Sequence, residues 1–281
     1  MTITILDKLT NQGIRMKWIN IFMNHYKDFV IFAGITVLSV IISLLCWSLE
    51  PTVSRDGVLY LELIQIWHKN GDFQDILDYW PQYWIPPLPL YLMTLLMYCG
   101  LSAEAAGVGL NLLLGSMLPL IVYGIAAEVC ENRRTAFYSA LLMVVNPTRI
   151  ELSIEPQRDM IYLFFCGLLI YFLVCGIRRW KWYFWCMGGF AFGMSFLTRY
   201  ETLEFVPLIA AAFLLLLWND CKKWKNCLLD LSCFSFSAIV VLSLCIYIMG
   251  VQEHIVKSYQ KYFHGKWIRF EQIVLPDRSK K

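Results

Sequence analysis

The sequence predicts an all-α, polytopic membrane helix bundle: about seven transmembrane helices plus two extracytoplasmic juxtamembrane helices. Three observations carry this. Of 281 residues, 58% are hydrophobic and 16% charged, whereas a soluble domain carries about a quarter charged residues; the mean hydropathy is +0.55. Several apolar runs reach the ~20 residues that cross a bilayer. Basic residues gather on alternate loops, the pattern that orients a membrane protein. The net charge of +3 is too small to point to nucleic acid.

The elements follow in order. Residues 1–28 are polar and carry Lys8, Arg15, Lys17 and Lys27, a cytoplasmic segment without a cleavable signal. The first span is 29–49. Beyond it, "PTVSRDGVLYLELIQIWHKNGDF" opens with Arg55 and Asp56. Leu59, Leu63, Ile66 and Trp67 then share one face at helical spacing, with Glu62, Gln65 and Lys69 away from it. This is a helix lying on the outer membrane surface. The run 86–101 has three early prolines and about a dozen continuous apolar residues, a length that suits an interfacial helix better than a span.

Further spans are expected at 105–130, 134–147, 157–177, 182–198, 201–218 and 228–249. With 86–101 left out, Arg133, Arg134, Arg178, Arg179, Lys181, Lys222, Lys223 and Lys225 join the N-terminal segment on the cytoplasmic side. The opposite side receives Asp56, Glu62, Asp72, Asp75, Asp78, Glu151, Glu155, Asp159, Glu201 and Glu204. The basic tail, 250–281, falls outside on this count and would lie on anionic headgroups or follow a further half-span. No repeat or low-complexity linker is visible. The chain therefore divides into the segment 1–28, a transmembrane module 29–249 and the tail.

The ten cysteines include no CxxC pair, and most lie in or beside apolar runs, where a thiol behaves as a small hydrophobe. The four histidines are scattered, and no zinc spacing occurs. Neither a metal nor a cofactor is expected. "AAGVGLNLLLGSMLP" carries small residues that suit helix packing rather than a dinucleotide.

Three charged clusters stand at span mouths on the outer side. Asp56 begins the surface helix, where a helix cap and a catalytic carboxylate both fit. Glu155, Arg158 and Asp159 in "ELSIEPQRDMIYLFF" stand where the chain re-enters the membrane; a polar cavity and a solvated loop with an Arg158–Asp159 neighbour pair both fit. Arg199 and Glu201 in "SFLTRYETLEF" fit a cavity or an interfacial anchor. Together they suggest one outward cavity, in which a cation holds a phosphate and a carboxylate deprotonates a hydroxyl.

The order of these motifs carries a resemblance. An Asp after the first span, a surface helix ending near "GDF", then "PPLPLY", "RRTAFYSALLMVVNP", "EPQRD" and "GFAFGMSFLTRYETL" resembles lipid-linked-sugar glycosyltransferases of the GT-C type. The pattern is nearest to the bacterial family-39 enzymes, which include the aminoarabinose transferase of lipid A and the protein mannosyltransferases. The likeness runs from about residue 31 to 217. It implies a GT-C-like module in the bacterial cytoplasmic membrane with an extracytoplasmic site. The donor would be a sugar on a polyprenyl phosphate, and the acceptor a lipid, glycan or protein.

The resemblance further implies Asp56 as general base, with Asp159, or its rival Glu155, as the acid of the second outer loop. Arg199, with Arg158, would face the donor phosphate, and Tyr60 and Glu201 would line the substrate cavity. Direct attack on such a donor inverts the anomeric centre. Gly57 follows Asp56 where several relatives carry a second acid, and relatives usually continue through further spans. Two other readings use the same cavity: a non-catalytic lipid-linked glycan transporter or flippase-like protein, and a partial, inactive family member.

Overall fold

The computed structural model describes residues 30–49, 53–71, 73, 75–76, 86–219 and 224–251. The segment 1–28, Asp72, Asp78, the Lys222–Lys223 pair and the tail from 252 onward lie outside the described residues. Among the described residues every regular element is helical. They are α1 (Val30–Leu49), α2 (Arg55–Asn70), α3 (Pro87–Tyr98), α4 (Ala103–Cys130), α5 (Arg133–Val144), α6 (Pro147–Ile154), α7 (Arg158–Arg179), α8 (Trp182–Thr198), α9 (Val206–Asn219) and α10 (Trp224–Met249). A 3-10 turn, Tyr200–Phe205, joins α8 to α9.

Helices α1, α4, α7 and α10, of 20, 28, 22 and 26 residues, are long and apolar enough to cross a membrane. The shorter α5, α8 and α9 stand at the other three expected spans. The protein is an all-α membrane helix bundle.

Two boundaries differ from expectation: the run expected to span 201–218 opens as the 3-10 turn and is α-helical only from Val206, and α5 ends early. The run expected to span 134–147 stops at Val144, and α6 begins as a separate helix. The cause is local. Asn146 accepts a hydrogen bond from the Arg149 backbone N–H at 3.0 Å, and Pro147 occupies the first helical position, where its missing N–H costs nothing.

Small residues let the helices approach. Gly189 of α8 lies so close to α10 that an added Cβ would run into the Phe234 carbonyl, and at Gly193 a Cβ would stand 3.1 Å from the Val241 side chain and 3.3 Å from the Ala238 carbonyl. Trp185, fully buried, lies on Gly176 of α7, where a Cβ would stand 2.8 Å from the indole. In a bilayer lipid tails are as apolar as leucine, so such backbone proximity is a main source of helix association.

Helix α2 buries Gly57, Tyr60, Leu63, Ile64 and Trp67. The buried stripe is therefore centred on Tyr60, Leu63 and Ile64, and Leu59 and Ile66 flank it half-buried. Trp67 packs edge-on against Phe73 and tilts against Tyr91 of α3, with centroids 5.0 and 5.8 Å apart.

The loops alternate between two ends of the bundle. At one end Arg178 pairs with Glu131 and Arg179 with Glu128. At the other, Ser54 meets Glu155 and Arg199 meets Asp159.

Candidate active site at the acidic end of the bundle

Ser54, not Asp56, caps α2: its hydroxyl accepts from the Gly57 N–H at 3.0 Å. Asp56 sits one residue inside the helix, in its first turn, where the helix dipole favours a carboxylate. It is exposed, and no hydrogen bond or ion pair engages it among the described residues.

Glu155 is committed to the cap. Its carboxylate accepts from the Ser54 backbone N–H, 3.2 Å from each oxygen, and from the Ser54 hydroxyl at 2.9 Å. Asp159 is committed to Arg199, whose Nη1 donates to Oδ1 at 2.7 Å. The Arg158–Asp159 neighbour pair expected as one option is thus replaced by a pair that ties α7 to the end of α8.

Glu201 stands 3.5 Å from Arg199 Nε, an ion pair without a well-formed hydrogen bond, since Nε is buried and has no hydrogen-bond partner. The guanidinium also lies over the Tyr162 ring, 5.3 Å from its centroid, at a distance where the ring quadrupole attracts a cation. Burial pulls Arg199 down, and Asp159 and Glu201 more than offset it, so Arg199 is held above its ordinary value. Arg158 is half-buried and makes no hydrogen bond or ion pair among the described residues.

Tyr60 ties these groups together. It is 5% exposed, and burial raises its phenol above the ordinary value. Arg158 lowers it, Asp159 and Asp56 raise it, and Arg199 lowers it. Among the described residues the arrangement offers a carboxylate and a guanidinium without hydrogen-bond or ion-pair partners, and a second guanidinium held by two carboxylates. That combination suits proton abstraction beside a stabilised leaving anion.

Three residues of the site's framework were not foreseen from sequence: Ser54, Asn111 and Arg149. Asn111 of α4 is fully buried and donates from Nδ2 to the Glu155 carbonyl and, at 2.7 Å, to the Gln157 carbonyl. Arg149 of α6 is 1% exposed and donates to Ser39 at 2.6 Å and Ser43 at 3.0 Å, both on α1, and to the Val144 carbonyl. Burial brings its guanidinium down to about 10, so it stays charged at neutral pH. A sequence signal for it exists: serines spaced four apart share a helix face, and here they interrupt an apolar span.

A family model described as dolichyl-phosphate-mannose-protein mannosyltransferase matches residues 85–248, more than half of the chain. No individual curated protein matches, nor does any solved structure.

Proposed function

The chain belongs to the dolichyl-phosphate-mannose-protein mannosyltransferase family, membrane glycosyltransferases that use a lipid-linked sugar donor, and we propose that it moves a sugar from a polyprenyl phosphate to an acceptor hydroxyl outside the cytoplasm, with inversion. The acceptor is a glycolipid, a glycan or a protein. Support for the extracytoplasmic side comes from Arg133, Arg134, Arg178, Arg179 and Lys181, which gather at the bundle end opposite the site.

In this reading Asp56 takes the acceptor's proton as its oxygen attacks the anomeric carbon. Its capping role is already filled by Ser54, which leaves the carboxylate free for chemistry. General-base help of this kind is typically worth about 10²–10⁴-fold. The bond from the anomeric carbon to the phosphate oxygen breaks, and the electron pair leaves on the phosphate. That leaving group is already an anion, so it needs a cation rather than an acid. Arg158, unpaired among the described residues, supplies a positive charge. Arg199, oriented by Asp159 and Glu201, supports it with a guanidinium fixed before the reaction begins. Tyr60 remains neutral and lines the cavity.

The single observation that carries this reading is the Arg199–Asp159 ion pair, 2.7 Å across, which joins the end of α8 to the start of α7 four residues from the Glu155 carboxylate that holds the α2 cap. The test uses purified protein with polyprenyl-phosphate sugars and an acceptor extract from cells lacking the gene. Mass spectrometry should find one glycolipid or glycoprotein sugar restored, and NMR should find the product anomer opposite to that of the donor. A product of retained configuration would contradict direct displacement. No transfer from any polyprenyl-phosphate sugar would contradict the reading as a whole.

A further inference from the structure

Asp56 makes no hydrogen bond or ion pair among the described residues, so within them the direction of its carboxylate is inherited from the backbone that carries it. That backbone is held from outside α2. One face of α4 presents Gly107, Asn111 and Gly115, each one helical turn apart. Gly107 lies under Pro156, where a Cβ would stand 2.7 Å from the ring, and Gly115 lies under Ser153. Between them Asn111 gives both Nδ2 protons to the carbonyls of Glu155 and Gln157.

The segment 153–157 is thus pinned to α4 over three contacts, and from it the Glu155 side chain reaches the α2 cap. Gly57 completes the fit. A Cβ there would stand 3.0 Å from Glu155 Oε2 and 3.1 Å from Pro156 Cγ, so the first turn of α2 rests directly on this segment.

We propose that Asn111 and Glu155 are positioning residues: Asn111 seats the 155–157 segment on α4, and the Glu155 carboxylate clasps Ser54 and so sets the direction in which Asp56 meets the acceptor. This rests on the reading of Asp56 as the base. It removes Glu155 from proton transfer, because both its oxygens are engaged by Ser54.

Reach and charge separate the two roles of Glu155. Glu155→Gln keeps the length and one acceptor oxygen for Ser54. Glu155→Asp keeps the charge but is one methylene short. A clasp predicts that Gln retains kcat within about 10-fold while Asp loses up to about 10²-fold, the cost of a misplacement near 1 Å, with donor KM little changed in both. A proton-transfer role predicts the reverse order, with Gln inactive and Asp partly active, and that order would overturn the proposal.

Ser54→Ala keeps the backbone N–H that Glu155 accepts from and removes the hydroxyl bond, so the double variant Ser54→Ala/Glu155→Ala should lose less kcat than the product of the two single losses, because the singles share the hydroxyl–carboxylate bond. Multiplied losses would overturn it. A readout independent of turnover is cross-linking of Ser54→Cys/Glu155→Cys by a short bifunctional thiol reagent in a cysteine-free background. Efficient cross-linking is expected, and its absence would overturn the clasp. An inactive wild type that still gave the cross-link would count against the transferase reading instead.

Discussion

Arg158 and Arg199 stand in one site with opposite degrees of commitment. Arg199 is shared between two carboxylates and a ring, while Arg158 has no partner among the described residues. The free charge is the one a donor phosphate gains most from. Arg158→Ala should therefore raise donor KM and lower kcat together, by about 10² in kcat/KM, the scale of one lost stabilising donor. Arg158→Lys should recover part of this, because lysine binds phosphate as a point charge. Equal donor kinetics in wild type, Arg158→Lys and Arg158→Ala, measured at varied donor concentration, would return Arg158 to the solvated-loop reading.

Tyr60 gives a second expectation at the same scale. Its phenol is raised, first by burial, so it holds its proton throughout the working range. Tyr60→Phe should leave the alkaline side of the pH–rate profile where it is; a displaced limb would show that the phenol titrates during turnover. Sequence located the charged groups but not their partners. Asp159 pairs across 40 residues with Arg199 rather than with Arg158, because successive helical residues point about 100° apart and do not face each other. Asn111 was hidden for a related reason: an amide inside an apolar run looks the same whether it packs or holds a loop.

At the scale of elements, close helix approach decides stability. Gly189→Val would drive a side chain into the Phe234 backbone of α10, and backbone cannot swing away as a flexible side chain does. The variant should lose the well-packed bundle, seen as a broadened size-exclusion peak in detergent. Gly109 of α4 is the control: a Cβ there meets nothing within 4 Å, and Gly109→Ala should be neutral or stabilising by up to about 1 kcal/mol from helix propensity. Equal behaviour of the two would contradict the packing account.

Arg149 fastens α6 to α1. Arg149→Ala removes charge-assisted hydrogen bonds each worth about 1.5–3 kcal/mol and should lower the unfolding midpoint measured by differential scanning fluorimetry. An unchanged midpoint would mean the contacts to Ser39 and Ser43 contribute little. The long helices were legible in sequence because length and hydropathy alone define them. Helix α6 was not, since its apolar neighbours run on to Asn146 and only the Asn-Pro start signal separates it from α5. The buried face of α2 was legible in outline, but Tyr60 was absent from it because a tyrosine amid aliphatic residues does not register as core.

For the whole molecule, ion pairs tie Arg178 to Glu131 and Arg179 to Glu128 at one end, and the Ser54–Glu155 and Arg199–Asp159 contacts form at the other. Cysteines introduced at Arg179 and Glu151 should label from opposite sides of the membrane, with position 151 outside. Labelling of both from one side would contradict the alternation of loops and the placement of the site. The alternation was legible because charge is costly to move across a bilayer and so marks each loop. The meeting of the α2 start, the α7 start and the α8 end was not, because it depends on which helices neighbour each other, and hydropathy carries no information on that.

The claim on which the rest depends is that Asp56 is the base, and Asp56→Asn tests it most directly. Ser54 keeps the cap in this variant, and asparagine preserves the shape, so folding and membrane insertion should match wild type by size exclusion and thermal midpoint. Transfer from the polyprenyl-phosphate sugar should fall by about 10²–10⁴-fold in kcat, with donor KM little altered. Near-normal turnover by a well-folded Asp56→Asn protein would contradict the account.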